Sequence, residues 1–415
     1  MQREPSSFVS AERLWDRLVH LAQFGARDDG GVDRPALSDV EAQARGQLVA
    51  WSRAFGLRPF TDALANLFLR LEGSKPELAP VLIGSHIDSQ PTGGKFDGAF
   101  GVLAALEAVE AIIASGRQPE RSIEVVAWTN EEGSRFAPGM SGSEGFTGAK
   151  PLDVLLGVTD ASGCSIGEAV SQILARDVDI PQRPLGWIPA AFVEPHIEQG
   201  PVLERRGIPI GVVSGIQGTR RYRVRVTGEA AHAGTALRAE RRDALMAAVR
   251  MIHAIDHAAL EPNDVMLTVG LMQIKPNAPS VVPEEAFFSI DLRHTDDGVV
   301  DRIDAEIRRI VEAERGTCEV DIRQIAHAPS LTFCREIRSV ITDAASALAI
   351  PSMDIYSAAG HDARQLHYVC PTGMIFIPCR DGISHNPAEW AEPDHVAAGA
   401  RALADVAWNL SKRKE

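Results

Sequence analysis

Twelve histidines are spread over the 415-residue chain, and a subset falls beside carboxylates where strands are expected to end. The first such run is GSHIDSQPTGGKFDG, in which His86 and Asp88 stand two apart. In an extended chain they share a face, so the carboxylate can accept from one imidazole nitrogen and leave the other for a metal. Asp97 follows at an expected helix start, where by local rules alone it is an N-cap. The second run, WTNEEGSRF, places Glu131 and Glu132 directly after the apolar stretch IEVVAW. Two acids at the end of a buried strand need a cation or a raised pKa; one can bind a metal while its neighbour acts as base, and solvated loop glutamates are the alternative. In FVEPHIEQGPVLE, His196 lies between Glu194 and the pair Glu198 and Gln199, and in DGISHNPAEW, His385 occupies a Gly/Asn/Pro loop. Each histidine alone reads equally well as a satisfied core residue. Together, three histidines and two or three carboxylates supply the N and O donors that zinc or a similar transition metal accepts.

The elements around these runs must bring them together. Residues 11–55 carry helical periodicity in two pieces separated by the polar stretch Arg27–Arg34, and strand-like segments follow at Asn66–Leu71 and Pro80–His86. The Gly-rich loop Thr92–Gly98 leads into the helical run AFGVLAALEAVEAIIASG, ended by Gly116, and Arg121–Trp128 reads as a buried strand. This alternation predicts an α/β sheet with parallel strands, in which chemistry sits beyond the carboxyl ends of the strands. From about residue 216 the grammar changes. RRYRVRVTG alternates Tyr222, Val224 and Val226 with arginines, the pattern of a half-buried antiparallel strand. A helix near 240–256, strands near 264–274 and 285–294, a helix near 298–315 and a strand near 317–326 complete a βαββαβ order. A helix near 335–348, strands at Pro351–Ser357 and Met374–Ile377 and a closing helix at Pro393–Ser411 then return to α/β character. The expectation is a catalytic α/β domain over residues 1–215 and 329–415, with a smaller βαββαβ domain inserted at 216–328.

Composition narrows the function classes. Lys and Arg number 42 against 56 for Asp and Glu, a formal charge of −14, and no basic block stands out, so nucleic acid and anionic membranes are poor partners. Apolar runs such as Val102–Ala105 and Ile123–Trp128 fall far short of the ~20 residues that span a bilayer. The first fifteen residues, MQREPSSFVSAERLW, lack an apolar signal core. Five cysteines without CxxC spacing fit reduced thiols in a cytoplasm and take no part in the chemistry.

The inserted segment offers three further candidates. His232 follows the first strand in AAHAG, Asn277 lies in the loop PNAPSVVP, and Arg293 ends the strand SIDLRH. Arginine suits bidentate carboxylate recognition and a histidine can donate to an oxyanion, although surface residues of these types are common.

In this order, GSHIDSQPTGGKFDG, TNEEGSRF, HIEQGPVLE, AAHAG, PNAPSVVP, GHDA and DGISHNPAEW resemble the carbamoylase/amidohydrolase branch of the M20 metallopeptidase family over nearly the whole chain. That branch contains N-carbamoyl-L-amino-acid hydrolases, allantoate amidohydrolases and β-ureidopropionases. The resemblance implies a catalytic domain bearing a lid and dimerisation domain, two divalent metal ions per subunit, and a homodimer. It makes His86 and His196 ligands to one metal, Glu132 and His385 ligands to the other, and Asp97 the bridge. Zn²⁺ leads as the metal, with Mn²⁺, Co²⁺ and Ni²⁺ as alternatives. Glu131 becomes the general base and Asp88 the partner of His86, while His232, Asn277, Arg293, Gln199 and the backbone of Gly360 contact substrate. The implied reaction hydrolyses a C–N bond of an N-carbamoyl-L-amino acid, with allantoate or another ureido acid second and an N-acyl amino acid or dipeptide third. The chain departs from the pattern after AAHAG, where TTPM of many relatives is replaced by the run Thr235, Ala236, Leu237, Arg238; that change bears on substrate identity rather than on the chemistry. With a net negative charge, capture of an anionic substrate rests on local cations and Arg293.

Overall fold

The computed structural model describes residues 3–412; Met1 and Gln2, the start of the N-terminal run read above, lie outside the described residues. The chain forms two compact units, residues 1–214 with 333–415, and residues 215–332. Among the described residues, no helix is long and apolar enough to cross a membrane.

The large unit opens with α1 (Ala11–Leu21) and α2 (Asp39–Ala54). Each is started by a serine hydroxyl, Ser10 accepting from the Arg13 amide and Ser38 from the Glu41 amide, which satisfies a donor that helix geometry leaves open. Strands β1 (Arg58–Thr61), β2 (Leu67–Leu71) and β3 (Val81–His86) follow, then α3 (Ala99–Ala114), β4 (Ile123–Trp128), a short helix α4 (Ser141–Thr147), α5 (Ile166–Arg176), β5 (Ala191–Ile197) and β6 (Ile210–Ile216). Every residue of β3, β4 and β5 is buried, the mark of strands covered on both faces. Helix α3 supplies part of that cover and buries Val102, Leu103, Leu106, Val109 and Ile112. Its one fully buried charge, Glu107, accepts from Arg13 Nε at 2.8 Å and Nη2 at 2.7 Å and from the Ser10 amide at 2.7 Å.

The small unit contains β7 (Gly218–Thr227), α6 (Ala244–Ala258), β8 (Met266–Thr268), β9 (Met272–Lys275), β10 (Glu285–His294), α7 (Asp297–Glu314) and β11 (Glu319–Ala328). Its antiparallel sheet runs β9-β10-β7-β11, with β8 also beside β10. The segment read as one strand near 264–274 is therefore two short ones that share a partner, interrupted around Gly270. Tyr222, Val224 and Val226 of β7 and Ala286, Phe288, Ile290 and Leu292 of β10 point to a core shared with Met251 and Ile255 of α6 and Ile303 and Ile307 of α7. The intervening arginines take the opposite face.

The chain returns to the large unit through α8 (Arg335–Ala347), β12 (Ser352–Ser357), β13 (Thr372–Ile377) and α9 (Pro393–Ser411). In the large sheet the order is β1-β2-β4-β3-β5-β13-β6, with β12 also beside β6. The central β4-β3-β5-β13 pairings are parallel. The expectation of a parallel sheet is corrected at the edges, where β2 runs antiparallel to β4 and β6 antiparallel to β13. Parallel β4, β3 and β5 end on the same side of the sheet, and their carboxyl ends deliver His86, the Glu131–Glu132 loop and His196 to one place.

Candidate metal centre

His86 is the last residue of β3 and is 1% exposed. Its Nδ1 lies 3.0 Å from the carbonyl oxygen of Asp88 and 3.5 Å from the Asp88 carboxylate. The carbonyl, not the carboxylate expected from the spacing, is the nearer acceptor. A carbonyl can only accept, so Nδ1 carries a proton, and in the neutral ring Nε2 keeps its lone pair. The Asp88 carboxylate instead accepts from the amides of Glu131 and Glu132, at 3.2 Å each, and so orients the loop beyond β4. His196 repeats the arrangement: Nδ1 is 2.9 Å from the Ile197 carbonyl, and Nε2 is 3.1 Å from Asp97 Oδ1 and accepts from the Gly98 amide at 3.2 Å.

Asp97 is not the N-cap that local rules suggest. That position belongs to Gly98, at φ +62°. A Cβ there would fall 2.4 Å from the His86 ring, so the close approach of α3 to His86 requires glycine. The Asp97 carboxylate is thereby free to face two ways. Oδ1 lies 3.1 Å from His196 Nε2 and 3.7 Å from His86 Nε2, while Oδ2 lies 3.2 Å from His385 Nε2. Glu132 Oε2 is 3.4 Å from the same His385 nitrogen. Three groups have ligand atoms within 4.8 Å of one another; two share Asp97, His86/Asp97/His196 and Asp97/Glu132/His385, and the third, Glu194/His196/His361, shares His196. The group His86/Asp97/His196 is fully buried; in Asp97/Glu132/His385 the His385 side chain is 49% exposed. Glu131 Oε2 stands 3.6 Å from His86 Nε2.

The electrostatics are those of an acid cluster balanced by imidazoles. Burial pushes Glu131 well above the usual carboxylate range, reinforced by Asp362, Glu132 and Asp88 and opposed by His86. Burial and Asp97 raise Glu132 to about 7. Burial also opposes ionisation of Asp97, but His196, His385 and His86 outweigh it and hold the carboxyl well below its ordinary value. The hydrogen bond to Asp97 raises His385 to about 9 despite desolvation. Divalent cations suit this set: they would replace the imidazole protons and neutralise neighbouring carboxylates. The donors are imidazole nitrogen and carboxylate oxygen, and Asp97 offers one oxygen to each of the two groups that share it, so the residues present fit bound divalent metal.

Other expected site residues are placed as follows. Gln199, at φ +55°, donates from Nε2 to Asp97 Oδ2 at 2.9 Å and to Ser384 Oγ at 3.1 Å, so its amide is engaged inside the cluster. Gly360 is exposed in the loop after β12, and a Cβ there would meet Met140 Cε at 2.6 Å. Glu198, next to Gln199, accepts from the Val202 and Leu203 amides and caps a short helix. His232, Asn277 and Arg293 belong to the small unit. His232 is exposed on a two-residue strand paired with Val281–Val282, and its Nδ1 accepts from the Gly234 amide at 3.0 Å. Asn277 is exposed at φ +58°. Arg293 lies on the helix-free face of the sheet, where Nε donates to Asp291 Oδ1 at 2.8 Å. Arg293 and Arg221 share Asp291 in a groove of about 470 Å³ also lined by Arg223, Met266 and Thr268.

Four buried residues carry no assigned role in the sequence reading, although Glu194 is noted there beside His196. His361, in the GHDA run, stacks 4.6 Å from the His196 ring and bonds Ser357 Oγ through Nε2 at 2.9 Å. Glu194 accepts from Ser85 Oγ at 2.8 Å and from the Ala363 amide at 2.7 Å. Arg34 is buried and donates to the carbonyls of Ile87, Leu21 and Phe24, fixing the chain just beyond His86. Glu389, in the HNPAEW run, accepts from the Phe96 and Asp97 amides. Nothing in local pattern marks these residues, although three of the four fall inside or beside the quoted motifs.

A mixed α/β sheet with histidines and carboxylates converging at its strand ends defines a hydrolase of the metal-dependent kind. The chain belongs to peptidase family M20/M25/M40, which it matches over residues 82–409. It is 38% identical over 412 residues to an N-carbamoyl-L-amino acid amidohydrolase of Geobacillus stearothermophilus, covering 97% of this chain and 99% of that one. It is 36% identical over 406 residues to an allantoate amidohydrolase of Escherichia coli K12, covering 97% and 98%. Among solved structures, a hydantoinase/carbamoylase family amidase from Burkholderia multivorans superposes with a TM-score of 0.92 at 40% identity, covering 98% of this chain and 99% of that one.

Proposed function

We propose that the protein holds two divalent metal ions and hydrolyses the C–N bond of an N-carbamoyl-L-amino acid, releasing the amino acid, CO₂ and ammonia. The observation that carries this reading is the Asp97 carboxylate, which presents Oδ1 to His86 and His196 and Oδ2 to His385. His86 and His196 would hold one ion, Glu132 and His385 the other, and Asp97 both; Zn²⁺ is the first candidate, then Mn²⁺, Co²⁺ and Ni²⁺. When bound, the ions supply Lewis-acid activation of water and of the scissile carbonyl. Glu131, buried beside His86, takes the proton of the attacking water and returns it to the leaving nitrogen. Asp88 holds Glu131 and Glu132 through their amides, and His232 donates to the developing oxyanion. Arg293 fits the substrate carboxylate, with Asn277, Gln199 and the Gly360 backbone as further contacts.

Identity to relatives named for carbamoyl-amino-acid hydrolysis supports the substrate class, and the allantoate amidohydrolases among the relatives support a ureido acid as the second reading. The protein works as a homodimer that pairs through the small unit. The test is metal analysis with an ammonia-release panel of N-carbamoyl-L-amino acids, allantoate and N-acyl amino acids, in Zn²⁺ or Mn²⁺. Ammonia from the carbamoyl compounds is expected. Bound metal without ammonia from any ureido compound would transfer the reading to N-acyl amino acids.

A further inference from the structure

Glu389 is 2% exposed and faces no arginine or lysine among the ion pairs of the described residues. Its three hydrogen bonds all converge on the Asp97 and His385 segments. Oε1 accepts from the Phe96 amide at 2.9 Å and the Asp97 amide at 3.0 Å, and Oε2 accepts from Ser384 Oγ at 2.9 Å. Ser384 is the neighbour of His385, and its hydroxyl lies 3.3 Å from Asp97 Oδ2. The carboxyl is seated over Gly94, where a Cβ would come within 2.1 Å of it. A buried carboxylate without a counter-cation is costly, so its place is set by the amides at the start of α3 and by the serine.

His385 otherwise sits on a loop tip at φ +53° with its side chain half exposed. The loop is closed at its base by the Arg380 amide donating to the Trp390 carbonyl at 2.7 Å and by the Arg380–Glu392 ion pair at 2.6 Å. Neither contact reaches Asp97. Two links tie the loop to the buried group: Gln199, whose Nε2 donates to both Asp97 Oδ2 and Ser384 Oγ, and Glu389, which joins Ser384 to the backbone of Phe96 and Asp97.

From this geometry we infer that Glu389 is a positioning residue that sets the distance between His385 and Asp97, and that it builds the second metal group without serving as a ligand. The inference rests on the two-metal reading above. The two histidines of the group His86/Asp97/His196 are fixed independently, by the carbonyls of Asp88 and Ile197, whereas His385 depends on the Glu389–Ser384 link. Loss of that link therefore weakens the second metal and spares the first.

The test uses the full-length protein, with Zn²⁺ as the probe, chelator competition to give stepwise affinities, metal analysis for stoichiometry, and thermal melting of the metal-free form. Glu389→Gln keeps one carbonyl oxygen for the two amides but cannot accept from Ser384, and Ser384→Ala removes the same link from the other side. Both are expected to weaken the second Zn²⁺ by about 10–100-fold, the usual effect of removing a partner that orients a metal ligand, with the first affinity and the metal-free melting point unchanged. Glu389→Ala is expected to lose the second equivalent altogether. Two unchanged affinities in Glu389→Gln and Ser384→Ala overturn the inference, as does equal loss of both metals together with a lowered metal-free melting point, which would mark Glu389 as a general fold residue. Wild-type protein that binds no Zn²⁺ overturns the two-metal reading itself, and the inference with it.

Discussion

His86 and His196 are each 1% exposed and fixed through Nδ1 to a backbone carbonyl, so each aims Nε2 in a set direction. His232, in the small unit, is exposed on a two-residue strand, and its ring accepts from the Gly234 amide. Asn277 is exposed in a loop, and Arg293 is committed to a carboxylate of its own strand. The contrast separates two tasks. Metal and base chemistry needs groups whose geometry is set before substrate arrives, and the strand ends of the large unit provide it. Recognition tolerates groups that are ordered by the ligand, and under the proposed function the small unit would supply those.

The largest expected effect breaks the large unit's side of the contrast. Glu131→Gln removes the proton acceptor but none of the ligands, so kcat falls by about 10²–10⁴ while metal content stays at the wild-type value. Near-normal kcat would remove Glu131 from the role of base. His232→Ala is expected to lower kcat by about 10²–10³, the usual loss on deleting one oxyanion donor, again with metal content intact; a variant that loses metal would place His232 in a different role. Arg293→Ala is expected to act mainly on KM, raising it about 10–100-fold, since a hydrogen bond to a charged group contributes about 1.5–3 kcal/mol. An equal fall in kcat with unchanged KM would show that the arginine acts on the transition state and not on the carboxylate.

The same division explains what could be read from the sequence. Strands β3 and β4 and helix α3 were visible as continuous apolar runs, because an element covered on both sides has little choice of composition. The antiparallel edges of the large sheet were not, since residue periodicity carries no information on the direction of a neighbour. Asp97 shows the limit within the site. Its position before a helix made it an N-cap by every local rule, and only the His86 ring packed against Gly98 and the imidazoles of His196 and His385 divert its carboxylate. Asp88 shows a subtler one: the spacing to His86 was right, but the backbone carbonyl takes the imidazole proton while the carboxylate reaches across to the Glu131 and Glu132 amides. Glu389 reaches the Phe96 and Asp97 amides, and Arg34 the Ile87 carbonyl, across long stretches of sequence, so no window around either residue could reveal those contacts.

The smallest expected effect concerns stability, and it sharpens the view of the large unit's acid cluster as a site built for cations. In the metal-free protein Glu132 and Glu389 are raised to about 7. A carboxyl with a raised folded-state pKa binds its proton more tightly when folded, so its contribution is present below about 4.5 and is lost as pH rises through about 7. His385 is raised to about 9 by Asp97; an imidazole raised in this way contributes below about 6.5 and loses that contribution as pH rises through about 9. The two kinds of group thus act in the same direction between pH 5 and 9. Asp97, held below its ordinary value, acts in the opposite sense, but only at more acidic pH. Metal-stripped protein is therefore expected to melt a few degrees lower at pH 8.5 than at pH 6, and saturating Zn²⁺ to abolish or reverse the difference, because metal binding favours the deprotonated ligands. A metal-free melting point that rises with pH over this range would mean that the acids are ionised and satisfied without a cation, and that the cluster is not held in wait for one.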